Sequence, residues 1–357
     1  MTAVLTLSNV SKTYAGVAAV SGIDLAVPAD SYVSLLGASG SGKTTLLRLI
    51  AGFEEPETGS ISFDGQRLDG TPAHERGIGF VFQNFALFPH LNVRDNIIYG
   101  LVNRQHAPLT DKAEIVRRVD EAIALVGLGG LDRRSVTQIS GGQRQRVALA
   151  RTLVTQPKLV LLDEPLGALD AHLRARMRDE LRQIRKALGV TFLHVTGSET
   201  EALAMGDRLV VLDEGRIGQV AAPGELYAEP ASPGVARYLN AFNLLKGTRS
   251  GDDFVSEVGR LGVAPETLRG GEGFYAIRHD RIDVRPSDAV VAADEVHLPA
   301  RFITSEYGGA SILSFFALDN GQIVEVEEHL SLGAPRSLVP DGRYGLAWKR
   351  SAALVYA

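Results

Sequence analysis

The feature that most constrains this chain is a stretch near its start, Gly37-Ala38-Ser39-Gly40-Ser41-Gly42-Lys43-Thr44, which fits the pattern Gly-x4-Gly-Lys-[Ser/Thr]. An apolar run at residues 32–36 precedes it and reads as a buried strand. After it, Leu46, Leu47, Leu49 and Ile50 fall on one helical face. Strand, glycine-rich loop and helix in this order make a cradle for phosphate. The glycines let backbone N–H groups turn inward around a polyphosphate, and the helix N-terminus adds favourable partial charge. Lys43 reaches the terminal phosphates and Thr44 offers a hydroxyl to Mg²⁺. The stretch predicts a nucleotide site.

At 357 residues the chain exceeds one typical domain, and two or three are expected. A net charge of −5 without any dense Lys/Arg block gives no nucleic-acid footprint, so no nucleic-acid partner is expected. Cysteine is absent, which excludes disulfides, thiol chemistry and Cys-ligated zinc, and fits a reducing cytosol. The first residues alternate like a strand and lack a basic n-region, so no signal peptide is expected. No run of about 18 apolar residues occurs, so any membrane role requires a partner subunit.

Residues 4–10 and 20–27 alternate as strands around a turn at Ala15-Gly16, with Tyr14 just before it. Residues 59–65 read as a short strand, and residues 78–82 as a buried strand ending at Gln83. From residue 84 to about 158 the apolar period becomes helical: Ile115, Val119, Ile123 and Val126 form one stripe, with Thr110 or Asp111 as N-cap and Gly127 as stop. This predicts a helical insert. It closes on Ile139-Ser140-Gly141-Gly142-Gln143, where Ser140 and Gln143 have capping-box spacing. Such a helix start is either an ordinary cap or a second anion site.

Residues 159–162 form a fully apolar strand that runs into Asp163-Glu164-Pro165. Two adjacent carboxylates at the end of a buried strand are unfavourable unless they serve a cation or a proton transfer. Beside a phosphate loop, Asp163 is the natural partner of Mg²⁺ and Glu164 the natural general base for water. Leu173, Met177, Leu181, Ile184 and Leu188 predict the next helix, stopped by Gly189. A strand at residues 190–195, a helix capped by Ser198 and Glu201, and a strand at residues 208–212 follow. This alternation predicts a mainly parallel sheet flanked by helices. Near residue 235 the texture changes, after Pro223, Pro230 and Pro233. Short β-like runs at residues 274–277, 300–303, 311–316, 322–326 and 344–348 predict a small β-barrel or sandwich. His279, His297 and His329 there have no ligand spacing.

Together these segments resemble the ATP-binding cassette family, in particular the ATPase subunits of bacterial solute importers, over residues 1–235. The resemblance implies an α/β P-loop NTPase cassette with an N-terminal antiparallel β subdomain and a helical subdomain at residues 84–158. Residues 236–357 resemble the small OB-like (TOBE-like) regulatory extension of importers for polyamines, iron(III), sulfate, molybdate and sugars. Tyr14 matches the aromatic that stacks on adenine. Gly37, Ser39, Gly40, Ser41, Gly42, Lys43, Thr44 and Thr45 match the Walker A loop and its helix start, with Ala38 where Pro is common. Gln83 matches the Q-loop residue that binds Mg²⁺ or water and touches the membrane subunit. Ser140, Gly141, Gly142 and Gln143 match the signature motif, with Ile139 where Leu is usual. Asp163 matches the Walker B ligand of Mg²⁺, Glu164 the catalytic base, and Leu166-Gly167-Ala168-Leu169-Asp170 the D-loop.

The cofactors so implied are ATP and Mg²⁺. The implied partners are a second cassette packed head to tail, transmembrane permease subunits and, indirectly, a periplasmic or extracellular solute-binding protein. The implied location is the cytoplasmic face of the membrane, held peripherally. Residues 74–83 look most like the polyamine and iron(III) branch.

One position departs from the pattern. Importer ATPases of this kind read Val-Thr-His-Asp-Gln where this chain reads Val195-Thr196-Gly197-Ser198-Glu199, so Gly197 replaces the switch histidine that holds the γ-phosphate and attacking water. His194 lies on the opposite face by strand parity and is a poor substitute. Weak hydrolysis in a homodimer is therefore expected. Pairing with a different, intact cassette and a nucleotide-gated binding role are the alternatives, and a cassette ATPase acting on DNA or ribosomes is a third class.

Overall fold

Alternating apolar residues build the first hairpin. β1 (Ala3–Tyr14) and β2 (Val17–Pro28) pair antiparallel around Ala15 and Gly16, burying Leu5, Leu7 and Val10 from one strand and Ile23 and Val27 from the other. The computed structural model describes residues 3–103, 108–167, 169–271, 273–333 and 336–357, so Ala168 of the expected D-loop lies outside the described residues. By their contacts these residues divide into two units, Met1–Leu226 and Tyr227–Ala357.

In the first unit the chain passes from the hairpin into β3 (Tyr32–Leu36) and α1 (Lys43–Ala51). It then returns through β4 (Thr58–Phe63) and β5 (Gln66–Arg67) to complete an antiparallel sheet in the order β2-β1-β4-β5. Next come β6 (Gly79–Val81), α2 (Val93–Val102), α3 (Lys112–Leu125), α4 (Gly141–Leu153) and β7 (Leu159–Asp163). The unit ends with α5 (Ala171–Leu188), β8 (Thr191–Thr196), α6 (Glu199–Met205), β9 (Arg208–Asp213) and β10 (Arg216–Ala221). The second sheet has the order β10-β9-β3-β8-β7-β6, parallel except for β10.

This parallel sheet is buried on both faces, which is why its strands read as unbroken apolar runs. In β7, Leu159 and Leu161 face the core shared with α1 and the antiparallel sheet. Val160 and Leu162 face a second core, shared with the helical insert and α5. The insert helices start where their caps allow: Asn92 accepts the Asp95 N–H, Asp111 rather than Thr110 caps α3, and Ser140 with Gln143 completes a capping box.

Two expectations shift. The strand at residues 78–82 contracts to β6, and the rings of Phe80 within it and Phe82 just beyond it both pack on Phe53, with centroids 5.3 and 5.7 Å away. In α5 the apolar stripe stops at Ile184, and Leu188 is 48% exposed in the last turn before the left-handed Gly189.

The second unit begins at Tyr227, eight residues before the texture change at 235. The helix Pro233–Tyr238 packs on the strands Phe242–Ser250 and Phe274–Arg278, so it belongs with them. Strands at Phe274–Arg278, Glu295–Tyr307, Ser311–Ala317, Ile323–His329 and Arg343–Lys349 fall on the runs expected there, with Gln322 left outside its strand. They lie in two sheets that share one core, where Phe254, Tyr275, Phe316 and Trp348 meet. Within it Trp348 Nε1 donates to Tyr275 Oη at 3.0 Å, and that hydroxyl donates to the Gly262 carbonyl at 3.3 Å.

His194 in β8 is fully buried. Neither ring nitrogen has a hydrogen-bond partner, and its ring meets Tyr32 edge-on with centroids 5.8 Å apart. Burial lowers its pKa from the ordinary 6.5 to about 3. The neutral ring therefore contributes stability in full above about pH 6.5, and that contribution is lost as pH falls toward 3. Urea unfolding followed by far-UV circular dichroism should show the midpoint falling between pH 7.5 and 5. His194→Phe, which keeps the aromatic contact, should flatten that fall.

Candidate active site

The site forms at the carboxyl ends of β3, β7 and β8. Two glycines shape the loop between β3 and α1. A Cβ on Gly37 would sit 2.3 Å from the Leu212 carbonyl oxygen, so only a hydrogen fits against β9. Gly42 has φ of 98°, and a Cβ there would lie 2.2 Å from the Ala19 carbonyl oxygen of β2. No side chain caps α1 and no acid occupies its first turn, so its positive end is left open. Its other end is closed by the buried Arg76, whose Nη1 donates to the carbonyls of Leu49 and Ile50 at 2.8 and 2.9 Å.

Lys43 is nearly buried, and its Nζ donates to the Gly37 and Ala38 carbonyls at 2.8 and 2.7 Å. Burial pushes its pKa down, while Glu164 and Asp163 hold it up. Around it lies a cavity of about 270 Å³ lined by Ala19, Ser39, Gly40, Gly42, Thr44, Thr45, Glu164 and Gly197. Ser41 Oγ, in the same loop, is buried and makes no hydrogen bond.

Asp163 closes β7, and Thr44 Oγ1 donates to its Oδ1 at 3.4 Å. Burial pushes the Asp163 carboxyl above its ordinary range and the neighbouring Glu164 adds to this; the Thr44 hydrogen bond opposes both. Glu164 takes φ of 44° directly before Pro165, a strained conformation held by its N–H donating to the Val195 carbonyl at 3.0 Å. Gln83 Nε2 donates to Glu164 Oε2 at 2.9 Å, which brings the end of β6 to the end of β7.

The structure thus gathers Ser39, Gly40, Gly42, Lys43, Thr44, Thr45, Gln83, Asp163 and Glu164 in one place. Gly37 and Ser41 belong to the same loop, whereas Tyr14 and residues 140–143 lie outside the cavity lining. Tyr14 is exposed at the hairpin tip, with Lys12 Nζ 5.7 Å from its ring centre, and is not among the residues that line the cavity. Ser140 and Gln143 spend their side chains on each other's backbone at the start of α4, at 3.3 and 2.9 Å, and Gly141 and Gly142 lie beside them, outside the cavity lining. Gly197 lines the cavity, and nothing stands within 4 Å of where its Cβ would be. Sequence reasoning missed Ala19 and Leu212, which shape the loop through backbone carbonyls; no side-chain signal could have marked them.

A larger cavity of about 790 Å³ lies among residues that precede the strands, including Asp30, Lys158 and Thr191, and so at the opposite end of the sheet. Ligands of such sheets bind at the carboxyl ends, where the loop and both carboxylates are. Among the described residues no helix is long and apolar enough to cross a membrane.

Comparison with known proteins agrees with this geometry. Residues 20–167 match the family model described as ABC transporter. The spermidine/putrescine import ATP-binding protein PotA of Rubrobacter xylanophilus is 41% identical over 98% of this chain and 92% of its own length. An uncharacterized ABC transporter ATP-binding protein of Escherichia coli, YdcT, is 38% identical over 98% of this chain and 97% of its own. Among solved structures, cbiO1 of Clostridium perfringens, part of the transporter complex cbiONQ, is 30% identical with a TM-score of 0.60, covering 67% of this chain and 95% of that one. The cassette MJ0796, solved as a dimer in a post-hydrolysis state with ADP and Pi, is 30% identical with a TM-score of 0.55, covering 61% of this chain and 98% of that one. A loop built for phosphate after β3, two carboxylates at the end of β7 in the same sheet and relatives matched almost end to end lead to one conclusion: the chain belongs to the ABC transporter family, as an ATPase subunit of the importer type.

Proposed function

We propose that this subunit drives import of a polyamine-type solute by binding and hydrolysing MgATP in the cavity around Lys43. The observation that carries the hydrolytic reading is the 2.9 Å hydrogen bond from Gln83 to Glu164 at the edge of that cavity. Lys43, already desolvated, exchanges its two loop carbonyls for phosphate oxygens. The amides from Gly40 to Thr45 supply further donors.

Thr44 and Asp163, whose Oγ1 and Oδ1 lie 3.4 Å apart beside the cavity, are the residues that would hold Mg²⁺, an ion that usually shares its shell with phosphates and waters. When bound, Mg²⁺ supplies positive charge against the charge that develops on the phosphate oxygens. Glu164 takes the proton of the attacking water, and Gln83 holds its carboxylate in place. Ser140, Gly141 and Gly142 complete the site of a second copy, and Tyr14 stacks on the base once a nucleotide orders the hairpin tip. The half-buried Phe88 and exposed Tyr99, 4.3 Å apart beside the Gln83 segment, offer the permease an aromatic contact on the cytoplasmic face.

Gly197 lowers the rate. The open space at its Cβ leaves the phosphate end of the cavity without the donor an imidazole would provide. Loss of one such donor costs about 10²- to 10³-fold in rate by analogy with oxyanion sites. Turnover of the purified chain should therefore be slow, faster in Gly197→His and absent in Glu164→Gln. Native turnover that Gly197→His fails to raise would show that the missing imidazole is compensated.

Gly42→Ala should weaken binding of a fluorescent ATP analogue by more than about tenfold, because the left-handed φ and the Ala19 carbonyl both reject a methyl group. Unchanged affinity would remove the loop from the site.

The polyamine assignment is supported by the names of the relatives from Rubrobacter xylanophilus and Marinobacter nauticus, both spermidine/putrescine import ATP-binding proteins. Cells lacking the gene should lose energy-dependent uptake of labelled spermidine. Loss of iron(III), sulfate or sugar uptake in its place would assign a different solute.

A further inference from the structure

The segment that carries Gly197 is held from below by a buried carboxylate that the hydrolytic chemistry does not use. Glu201, in the first turn of α6, is 5% exposed. Its Oε2 accepts a hydrogen bond from Thr196 Oγ1 at 2.9 Å, and the same hydroxyl oxygen accepts the Ser198 backbone N–H at 3.0 Å. Ser198 Oγ accepts the Glu201 N–H at 3.3 Å. Both neighbours of Gly197 are therefore tied to one carboxylate.

The other oxygen faces a different element. Glu201 Oε1 lies 3.4 Å from Arg174 Nε, and Arg174 Nη2 donates to the Leu169 carbonyl at 2.9 Å. Leu169 precedes Asp170, which caps α5 by accepting the Leu173 N–H at 2.9 Å. A continuous path of charged and hydroxyl groups thus runs from the backbone after Glu164 and Pro165 to the backbone on each side of Gly197. One link in it is incomplete. Arg174 Nε is buried and makes no hydrogen bond, although the carboxylate stands within ion-pair reach. A small shift of the Leu169-Asp170 segment, which holds Arg174 through the Leu169 carbonyl, would bring that bond to hydrogen-bonding geometry.

We propose that Glu201 and Arg174 are positioning residues that transmit a displacement of the Leu169-Asp170 segment to the backbone at Thr196 and Ser198. The inference rests on the ATPase reading above. In a cassette with no switch side chain the backbone is all that this segment can present to the cavity, so its placement governs whatever help it gives to the phosphate end. A buried carboxylate whose only role was packing would be better replaced by an apolar side chain. Here it joins segments that lie 27 positions apart in sequence at the Arg174 and Glu201 ends.

Hydrogen exchange on the full chain tests this without requiring turnover. Glu164→Gln serves as the parent, so that ATP persists. In it, MgATP should slow exchange at residues 169–174 and at residues 196–201 together. After addition of Glu201→Gln, which keeps the volume but removes the charge, residues 169–174 should still slow and residues 196–201 should not. Thr196→Val should behave alike and Thr196→Ser should restore the parent pattern; because Thr196→Val keeps the Arg174–Glu201 pair, it decides the matter if Glu201→Gln fails to fold. In the otherwise native chain, Glu201→Gln should lower kcat about 10- to 100-fold with ATP affinity unchanged within about twofold.

The proposal is overturned if residues 196–201 still slow in both variants, if MgATP slows neither segment in the parent, or if Glu201→Gln keeps native kcat. A native chain that binds ATP without any turnover overturns the ATPase reading instead, and leaves the exchange result to decide the relay.

Discussion

The cassette depends on holding one ammonium group and two carboxylates at the end of a buried parallel sheet. Burial lowers the pKa of Lys43 while Glu164 and Asp163 raise it, and its Nζ makes two hydrogen bonds, to the Gly37 and Ala38 carbonyls. A hydrogen bond to a charged group contributes about 1.5–3 kcal/mol, so these two are strong enough to shape the loop. They also require the loop to curl tightly, which is why Gly37 presses against Leu212 and Gly42 against Ala19. The rest of the unit supports that curl. Leu46, Leu47, Leu49 and Ile50 sink α1 into the core, and Arg76 occupies the carbonyls at its far end, so only the N-terminus of α1 remains unsatisfied.

The same arrangement explains the strain at Glu164. A strand that ended in ordinary geometry would carry two successive side chains to opposite faces, and only one carboxylate would reach the cavity. The left-handed turn at Glu164, fixed by the Val195 carbonyl and followed by Pro165, brings the second carboxylate round to Gln83 while Asp163 stays beside Thr44. Backbone strain of order 1–3 kcal/mol is the cost of aiming two consecutive carboxylates at one cavity. Their surroundings differ, as the proposed roles of metal ligand and base require: Asp163 sits deep enough for burial to raise its pKa, and Glu164 sits at the cavity wall.

Much of this was legible because local chemistry and tertiary role coincide. The phosphate loop has one workable backbone path, so its residue types announce it. The caps at Asp111, Ser140 and Ser198 were readable because a helix start must satisfy its N–H groups whatever it packs against, whereas the cap at Asp170 shows only in the fold. What stayed hidden was supplied by backbone or by distant packing. Leu188 fits the apolar stripe of α5 in sequence, yet the core has ended one turn earlier. Phe82 continues an apolar run, yet the strand ends before it and its ring packs with Phe53 and Phe80. The Arg174–Glu201 contact spans two helices and carries no motif, so only the folded chain shows it.

Gly197 is where local chemistry and tertiary role part. A histidine there would act through its ring, and its backbone would need only to be near the cavity. With glycine, the ring's space is open while the scaffold around it is intact: β8 delivers the segment to the cavity, Ser198 caps α6, and Thr196 and Glu201 fix the backbone between them. An apolar residue would be the cheaper occupant of Glu201's buried position if packing were its only role. The carboxylate instead accepts the Thr196 hydroxyl, whose oxygen accepts the Ser198 N–H, so the proposed relay acts on the backbone on both sides of Gly197.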